Sequence, residues 1–463
     1  MFMKNIFYYQ ILCYNKNMEK NKTICAISTP VGNGGISIVR MSGSESKKIL
    51  QKITNFDTKK MEARKMYLAK INTKSFNEQG LIVWFKEPYS YTGEEMVEIQ
   101  CHGGIIIANG ILNELIEKGA VLAESGEFTK RAFVNGKMSL DSAEGVIDMI
   151  NAQSEEAVKA GYNLMTGKLK EKVNNIQNLL TDCEAKVEVA LDYPEEDIDY
   201  STSKEIKLEL ENCKAKIDEL LETVNTGRLV KNGINILILG KPNAGKSSLL
   251  NALVGYNKAI VTNIAGTTRD MVEDSYTYKN LSFNVTDTAG IREAESIVEQ
   301  IGIERAEESV KSADIILVVL DGSRPIEKDD EKILSMVKDK IVLYVINKID
   351  LPKKINRTFE QMVEISAMRN ERVLALKEDI YNLVVDKNML SGGLLITNTR
   401  HANALKEANL SIESAIKEIK NGTTLDLVAT DIKSAWLSLG EITGVVNNQE
   451  IINTIFSKFC LGK

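Results

Sequence analysis

The chain has 463 residues, 43% of them hydrophobic and 26% charged, enough apolar content to build cores for about three domains and too much for a disordered polymer. Its 58 lysines and arginines are outnumbered by 64 aspartates and glutamates, a net charge of -6, which excludes a surface held on nucleic acid by bulk positive charge and makes any RNA contact local. Six cysteines without a C-x-x-C pair, beside two histidines, give no zinc framework, and no apolar run reaches membrane-spanning length, so a reduced cytoplasmic protein without membrane contact is expected. In chain order, residues 1–17 precede Met18-Glu-Lys-Asn-Lys and lack the small-residue cleavage site of a signal peptide; a dispensable start-site extension is expected there. Strands are predicted over Thr23–Ser28 and Gly35–Arg40, around the turn-rich Thr29–Gly35, then over Met66–Ile71, Gly80–Phe85 and Glu94–Gln100. With a helix over Ile105–Lys118 they read as a small α+β domain. Cys101-His-Gly-Gly104 reads as a strand-to-helix turn, because no second histidine or partner base adjoins it. In Gly126–Met138, Lys130, Arg131 and Lys137 are interleaved with aromatic rings. That pattern fits either a solvated helix face or a pocket for an anionic, ring-bearing ligand.

From Ser142 to Leu191 apolar residues recur at helical spacing, predicting long helices; Leu191–Asp197 breaks them, and Lys204–Leu229 resumes the pattern. The helical period returns after Gly392-Gly393 and runs from Thr399 to Phe459. Between the two helical stretches lies a unit of alternating strands and turns. The chain therefore divides into residues 18–138, an N-terminal α+β domain; 139–232, the first part of a helical domain; 233–390, an inserted Ras-like nucleotide domain; and 391–463, the second helical part. The fold class is multidomain, α/β plus α, with a mostly parallel sheet in the inserted unit.

The inserted unit carries four motifs on strand ends. Gly240-Lys-Pro-Asn-Ala-Gly-Lys-Ser247 follows the apolar run Ile234–Leu239 and precedes a helical Ser248–Leu253. Gly240 and Gly245 let backbone N–H groups close around a phosphate, with Asn243, Ala244 and Ser248 also on the cradle; Lys246 reaches the β/γ oxygens and Ser247 offers a magnesium ligand. Asp287, Thr288, Ala289 and Gly290 end the next apolar strand, where an aspartate holds magnesium through water and the Gly290 N–H senses a γ-phosphate. Asn347, Lys348 and Asp350 follow the strand Ile341–Ile346, and an aspartate there accepts from N1–H and the exocyclic amine of guanine. Ser366 and Ala367 complete the base pocket. Together the motifs name GTP as ligand.

Two features depart from Ras-like switches. The water-orienting glutamine is replaced by Ile291, which leaves the carboxylates at 293, 295 and 299 as candidates, while Arg269 and Arg292 are the arginines in switch-like segments. Asn243 offers a side-chain oxygen with which a monovalent cation could be held against the phosphates, replacing an arginine finger electrostatically.

These residues resemble the tRNA-modification GTPases of the MnmE/TrmE type over nearly all of residues 18–463. The likeness is carried by the phosphate loop, Gly-Thr-Thr-Arg-Asp at 266, Asp-Thr-Ala-Gly at 287, Ile-Gly-Ile-Glu-Arg-Ala at 301, Tyr-Thr-Gly-Glu at 91 and the terminal Phe-Cys-Leu-Gly-Lys463. The resemblance implies a homodimer through the N-terminal domain and an FAD-containing partner of the MnmG/GidA type. With it the protein would add an aminomethyl or carboxymethylaminomethyl group to C5 of the wobble uridine of certain tRNAs, using a tetrahydrofolate carbon carried as the 5,10-methylene or 5-formyl form. It also implies that Thr262, Asn263, Ile264, Ala265, Gly266, Thr267 and Thr268 join the GTP site, with Asn243, Thr262, Ile264 and Thr267 on potassium and Ser247 and Thr268 on magnesium. Glu299 matches the general-base position, Arg40, Glu98, Lys137 and Lys463 the folate positions, and Cys460 the terminal cysteine, which a buried packing thiol would explain equally well. Met138-Ser139 and the terminal Cys-Leu-Gly-Lys depart from the family's common forms without touching those positions. The rival from another class is a GTPase switch in ribosome assembly, against which stand a single phosphate loop and the lack of an appended RNA-binding module.

Overall fold

The computed structural model describes residues 22–192, 199–255, 274–287, 309–338, 340–385, 393–446 and 449–462. These form two compact units, one of Met1–Ile147, Leu164–Cys213 and Leu410–Lys463, the other of Asp148–Asn163 and Lys214–Asn409.

In the first unit, strands β1 (Ile24–Ile27), β2 (Gly34–Ser42), β3 (Met66–Asn72), β4 (Asn77–Phe85), β5 (Met96–Gly103) and β6 (Val121–Leu122) make one sheet in the order β3-β4-β5-β2-β1-β6. All pairs are antiparallel except β1 with β6. Strand alternation sends Val39, Met41, Ala69, Ile71, Ile82, Val97 and Ile99 to one face, where helices Ser46–Ile53 and Ile105–Glu117 cover them with Ile49, Leu50, Ile53, Ile111 and Leu115. The five predicted strands and the helix from 105 are present. Helix Ser46–Ile53 was not anticipated, being a two-turn element too short for a periodic signal, whereas helix Glu127–Val134 falls where a helix was one of the two readings of Gly126–Met138.

Long helices do form, but the predicted run from Ser142 divides into Leu140–Asn151, Glu155–Met165 and Lys168–Asp192. The breaks have local causes: the Ser154 hydroxyl accepts from the Ala157 N–H at 3.2 Å, and Gly167 takes a left-handed φ of 82°. Helix Lys168–Asp192 buries Leu169, Val173, Ile176, Leu180, Cys183 and Val187 at i, i+3, i+4 spacing. It packs on helix Leu425–Thr443, to whose Trp436 carbonyl Gln177 donates at 2.9 Å.

The second unit holds β7 (Ile234–Leu239), β8 (Asp274–Tyr278), β9 (Leu281–Asp287), β10 (Ile315–Asp321), β11 (Val342–Asn347) and β12 (Met362–Glu364), in the order β12-β11-β10-β7-β9-β8. Only the β8/β9 pair is antiparallel. Alternate residues of β7, β10 and β11 enter two different cores. Ile236, Ile238, Leu317, Val319, Leu343 and Val345 face helices Lys246–Val254 and Val373–Val384, whereas Leu237, Leu239, Ile316, Val318 and Ile346 face helix Lys328–Met336. A parallel sheet covered on both faces explains the unbroken apolar runs Ile-Asn-Ile-Leu-Ile-Leu and Ile-Ile-Leu-Val-Val-Leu. Its ligands belong at the carboxyl ends of the strands, where the predicted motifs stand.

Candidate functional site

The phosphate loop leaves β7 and enters helix Lys246–Val254, whose N-terminus faces back into the loop. Asn243 and Gly245 are left-handed, with φ of 62° and 97°. A Cβ on Gly245 would lie 2.1 Å from Asn347 Nδ2, so only glycine lets the two loops close on each other. Lys246 Nζ donates to the Lys241 carbonyl at 3.2 Å, and Lys241 itself is held by Glu327 and Asp330, both at 2.8 Å. Ser247 and Ser248 are exposed on the first helical turn, where an ion or phosphate is accessible to them.

The base-reading loop clamps this cradle. Asn347, 3% exposed, donates from Nδ2 to the Ala244 carbonyl at 2.9 Å, and its Oδ1 accepts from the Ala367 N–H at 3.0 Å. Lys348 Nζ donates to the preceding carbonyl, Asn243 O, at 2.8 Å and to Asp321 Oδ2 at 2.6 Å. Asp350 Oδ1 accepts from the Ser366 hydroxyl at 2.8 Å, and that bond holds the carboxyl below its usual range, ionised and ready to accept from a guanine edge. The structure thus brings Asn243, Ala244, Gly245, Asn347, Lys348, Asp350, Ser366 and Ala367 to one end of one sheet. Asp321 was missed from the sequence. Its signal was faint, an aspartate ending an apolar strand without a motif around it. β9 sets the Asp287 backbone opposite Ile238. Thr262, Asn263, Ile264, Ala265, Gly266, Thr267, Thr268, Thr288, Ala289, Gly290 and Glu299 lie outside the described residues, as do residues 1–17.

In the first unit the terminal segment folds back onto β1 and β2. The Gly462 carbonyl accepts from the Ser28 hydroxyl at 3.1 Å and from Arg40 Nη1 at 3.3 Å. Gly462 has φ 86°, and a Cβ there would come within 2.3 Å of the Ile27 carbonyl. Arg40 and Glu98 are cross-strand neighbours of β2 and β5, paired from Nε and Nη2 to Oε1 at 2.8 Å, so the charge of Arg40 is already offset by Glu98. The guanidinium also lies 5.8 Å from the Tyr91 ring and 5.7 Å from Phe128. Lys137 is exposed and donates to the Pro88 carbonyl at 3.0 Å, while Lys463 lies outside the described residues.

Two expectations change. Arg131, a candidate for an anion pocket or a solvated face, is neither: it is 6% exposed and neutralised by Glu94 at 3.0 Å and Glu127 at 2.7 Å. Cys460 is exposed, so the reading as a buried packing thiol fails, whereas Cys25, Cys101, Cys183 and Cys213 are buried. Burial pushes the Cys101 thiol up to about 11, and His102 is engaged by Glu78 at 2.6 Å, which suits a structural turn. Among the described residues no cluster of acidic, cysteine or histidine side chains is arranged to hold a metal, and no helix is long and apolar enough to cross a membrane.

Residues 23–137 match the model of the GTP-binding protein TrmE N-terminus, and residues 140–460 that of the MnmE helical domain. The tRNA modification GTPase MnmE of Natranaerobius thermophilus is 41% identical over 456 residues, 95% of this chain and 99% of that protein. That of Thermotoga maritima is 41% identical over 451 residues, 95% of this chain and 100% of the relative. Among solved structures, the Era protein of Aquifex aeolicus bound to GDP and AlF4- is 27% identical, covering 38% of this chain and 66% of that chain with a TM-score of 0.26. Two family models joined end to end, and near-complete coverage at 41% identity, place the chain in the MnmE family of tRNA modification GTPases.

Proposed function

We propose that GTP hydrolysis by this chain drives the modification of the wobble uridine at C5, with an FAD-dependent partner of the MnmG type and a tetrahydrofolate one-carbon donor, in its 5,10-methylene or 5-formyl form. The observation that carries the folate part is the return of the terminal segment: Gly462 on Arg40, beside Glu98, sets the last residues of the chain against the N-terminal sheet. Glu98 has the chemistry to accept from a pterin amine and ring N–H, and Arg40 orients that carboxylate. Lys137 and Lys463, the residue after Gly462 in sequence, would supply positive charge for the carboxylates of the tail. Folate binding and dimerisation are assigned to residues 18–138, on a helical domain of 139–232 and 391–463 that carries the G domain of 233–390.

A homodimer is supported by exposed apolar side chains on the outer face of the N-terminal sheet. Register sets Met66 beside Val83 and Leu68 beside Leu81 on the face that carries Arg40 and Glu98, and Ile36, Met66 and Leu68 are 62%, 53% and 62% exposed. An apolar sheet face of this kind is stable once another surface covers it.

Within the nucleotide site, Lys246 and the N–H groups of the loop hold the β- and γ-phosphates, and Asp350 selects guanine. Magnesium would be held by Ser247 with Thr268, and potassium by Asn243 with Thr262, Ile264 and Thr267, supplying positive charge against the negative charge of the transferred phosphoryl group. The exposed Asn243 side chain on a left-handed turn and the exposed Ser247 fit those duties. Glu299 would orient the attacking water, the duty that Ile291 cannot perform.

Mass spectrometry of tRNA from cells lacking this chain tests the reading. Unmodified uridine is expected at the wobble position, restored by the wild-type chain and not by a Glu98→Ala chain. Wobble uridines that stay fully modified without the protein would overturn it.

A further inference from the structure

Asp321 ends β10, and the next two residues turn the chain against the loop that reads the base. The Gly322 N–H donates to the Asn347 carbonyl at 2.8 Å, and the Gly322 carbonyl accepts from the N–H groups of Lys354 at 2.8 Å and Ile355 at 3.2 Å. The two loops are therefore one hydrogen-bonded body. Asp321 Oδ1 accepts from the Ser323 N–H at 3.0 Å and from its hydroxyl at 2.7 Å, which orients the carboxylate. Oδ2 takes Lys348 Nζ at 2.6 Å, with the exposed Arg324 Nε farther off at 3.8 Å. The same Nζ reaches the Asn243 carbonyl in the phosphate loop. Burial pushes the Asp321 carboxyl up, and the bonds from Lys348 and Ser323 outweigh it, leaving the group ionised below its usual range. Both residues bridged by this bond, Lys348 at φ 68° and Asn243 at φ 62°, are left-handed, a conformation that side-chain-bearing residues keep only where surrounding bonds over-determine it.

We infer that Asp321 is a positioning residue for guanine-nucleotide binding: it holds Lys348 on the Asn243 carbonyl, so that the phosphate loop and the base-reading loop form one preassembled cradle. The inference rests on GTP binding and is independent of the potassium, folate and flavin readings. Without the carboxylate, Lys348 gains freedom to turn into solvent, and the nucleotide must order both loops as it binds. GTP and GDP meet the same cradle, so the loss falls on binding that ground state and transition state share.

The test uses the full chain with Asp321→Asn, which keeps an acceptor for Ser323 and removes the charge. The KM for GTP and the Kd of a fluorescent GDP are expected to rise together by about 5- to 30-fold, with kcat within about twofold of wild type. Lys348→Met should show a loss of similar size, and the double variant should bind no worse than Lys348→Met alone, since Asp321 acts through that lysine. Thermal melting identifies any folding defect; if Asp321→Asn does not fold, Asp321→Glu takes its place in the same cycle, with a smaller rise expected. Wild-type KM and Kd in the Asp321 variant, a fall in kcat at unchanged KM, or additive losses in the double variant would each overturn the inference.

Discussion

Asn243 has two duties on two sets of atoms. Its backbone carbonyl is taken by Lys348 at 2.8 Å, while its exposed side chain stands over the loop at φ 62°. The potassium proposal concerns only the side chain, so the two duties separate by mutation. Asn243→Gly is the better variant, because alanine at this left-handed φ would add strain of about 1 kcal/mol. Wild type is expected to hydrolyse GTP at least about tenfold faster in potassium than in sodium, since a positive charge at the phosphates is worth up to about a thousandfold or more when an arginine supplies it. In Asn243→Gly that preference should vanish while GDP affinity stays near wild type. Equal rates in the two salts for the wild-type chain would dispose of the potassium site. Arg131 carries the opposite lesson at the same scale: a basic residue among aromatic rings looks like a ligand contact until burial and two carboxylates show it to be structural.

Among the elements, the phosphate loop and the loop after β11 form one structure built from two distant stretches. Gly245 makes their approach possible, its missing Cβ leaving room for the Asn347 amide that binds the Ala244 carbonyl. Gly245→Ala would drive these groups apart and add a left-handed strain, so guanine-nucleotide affinity is expected to fall by at least about a hundredfold while the parallel sheet stays folded. Titration with a fluorescent GDP beside a far-ultraviolet dichroism spectrum checks both halves; binding that survives within about threefold would show that the loops need not meet as closely as here. The strands themselves were legible, because β7 and β11 are apolar runs that end in glycine and asparagine motifs. Where the helices of Ser142–Leu191 divide was not, since one serine cap and one glycine weigh little against fifty residues of helical period.

For the whole molecule, the decisive placement is that of the terminal segment. Phe456 and Phe459 are 2% and 4% exposed, packed with Leu140, Ala143, Ile452 and the partly buried Phe133. A Cβ on Gly126 would fall 2.5 Å from the Phe456 carbonyl, so the helix Gln449–Ser457 lies against the start of helix Glu127–Val134. Phe459→Ala should therefore cost about 3 kcal/mol in urea unfolding of the full chain, as a buried aromatic side chain, and should weaken any ligand held by Arg40 and Glu98. A cost below about 0.5 kcal/mol would mean that the segment is only loosely docked. What the amino-acid sequence determined alone is the phosphate-loop motif, most of the strands, and the family, because a phosphate loop is a local object whose glycines and lysine lie within eight residues. What the tertiary structure decided is every partnership between distant residues: Asp321 with Lys348 and Asn243, Arg40 with Glu98 and Gly462, Arg131 with Glu94. Those depend on strand register and on which face an element buries, and a charge or a glycine in one stretch carries no mark of the residue it will meet in another.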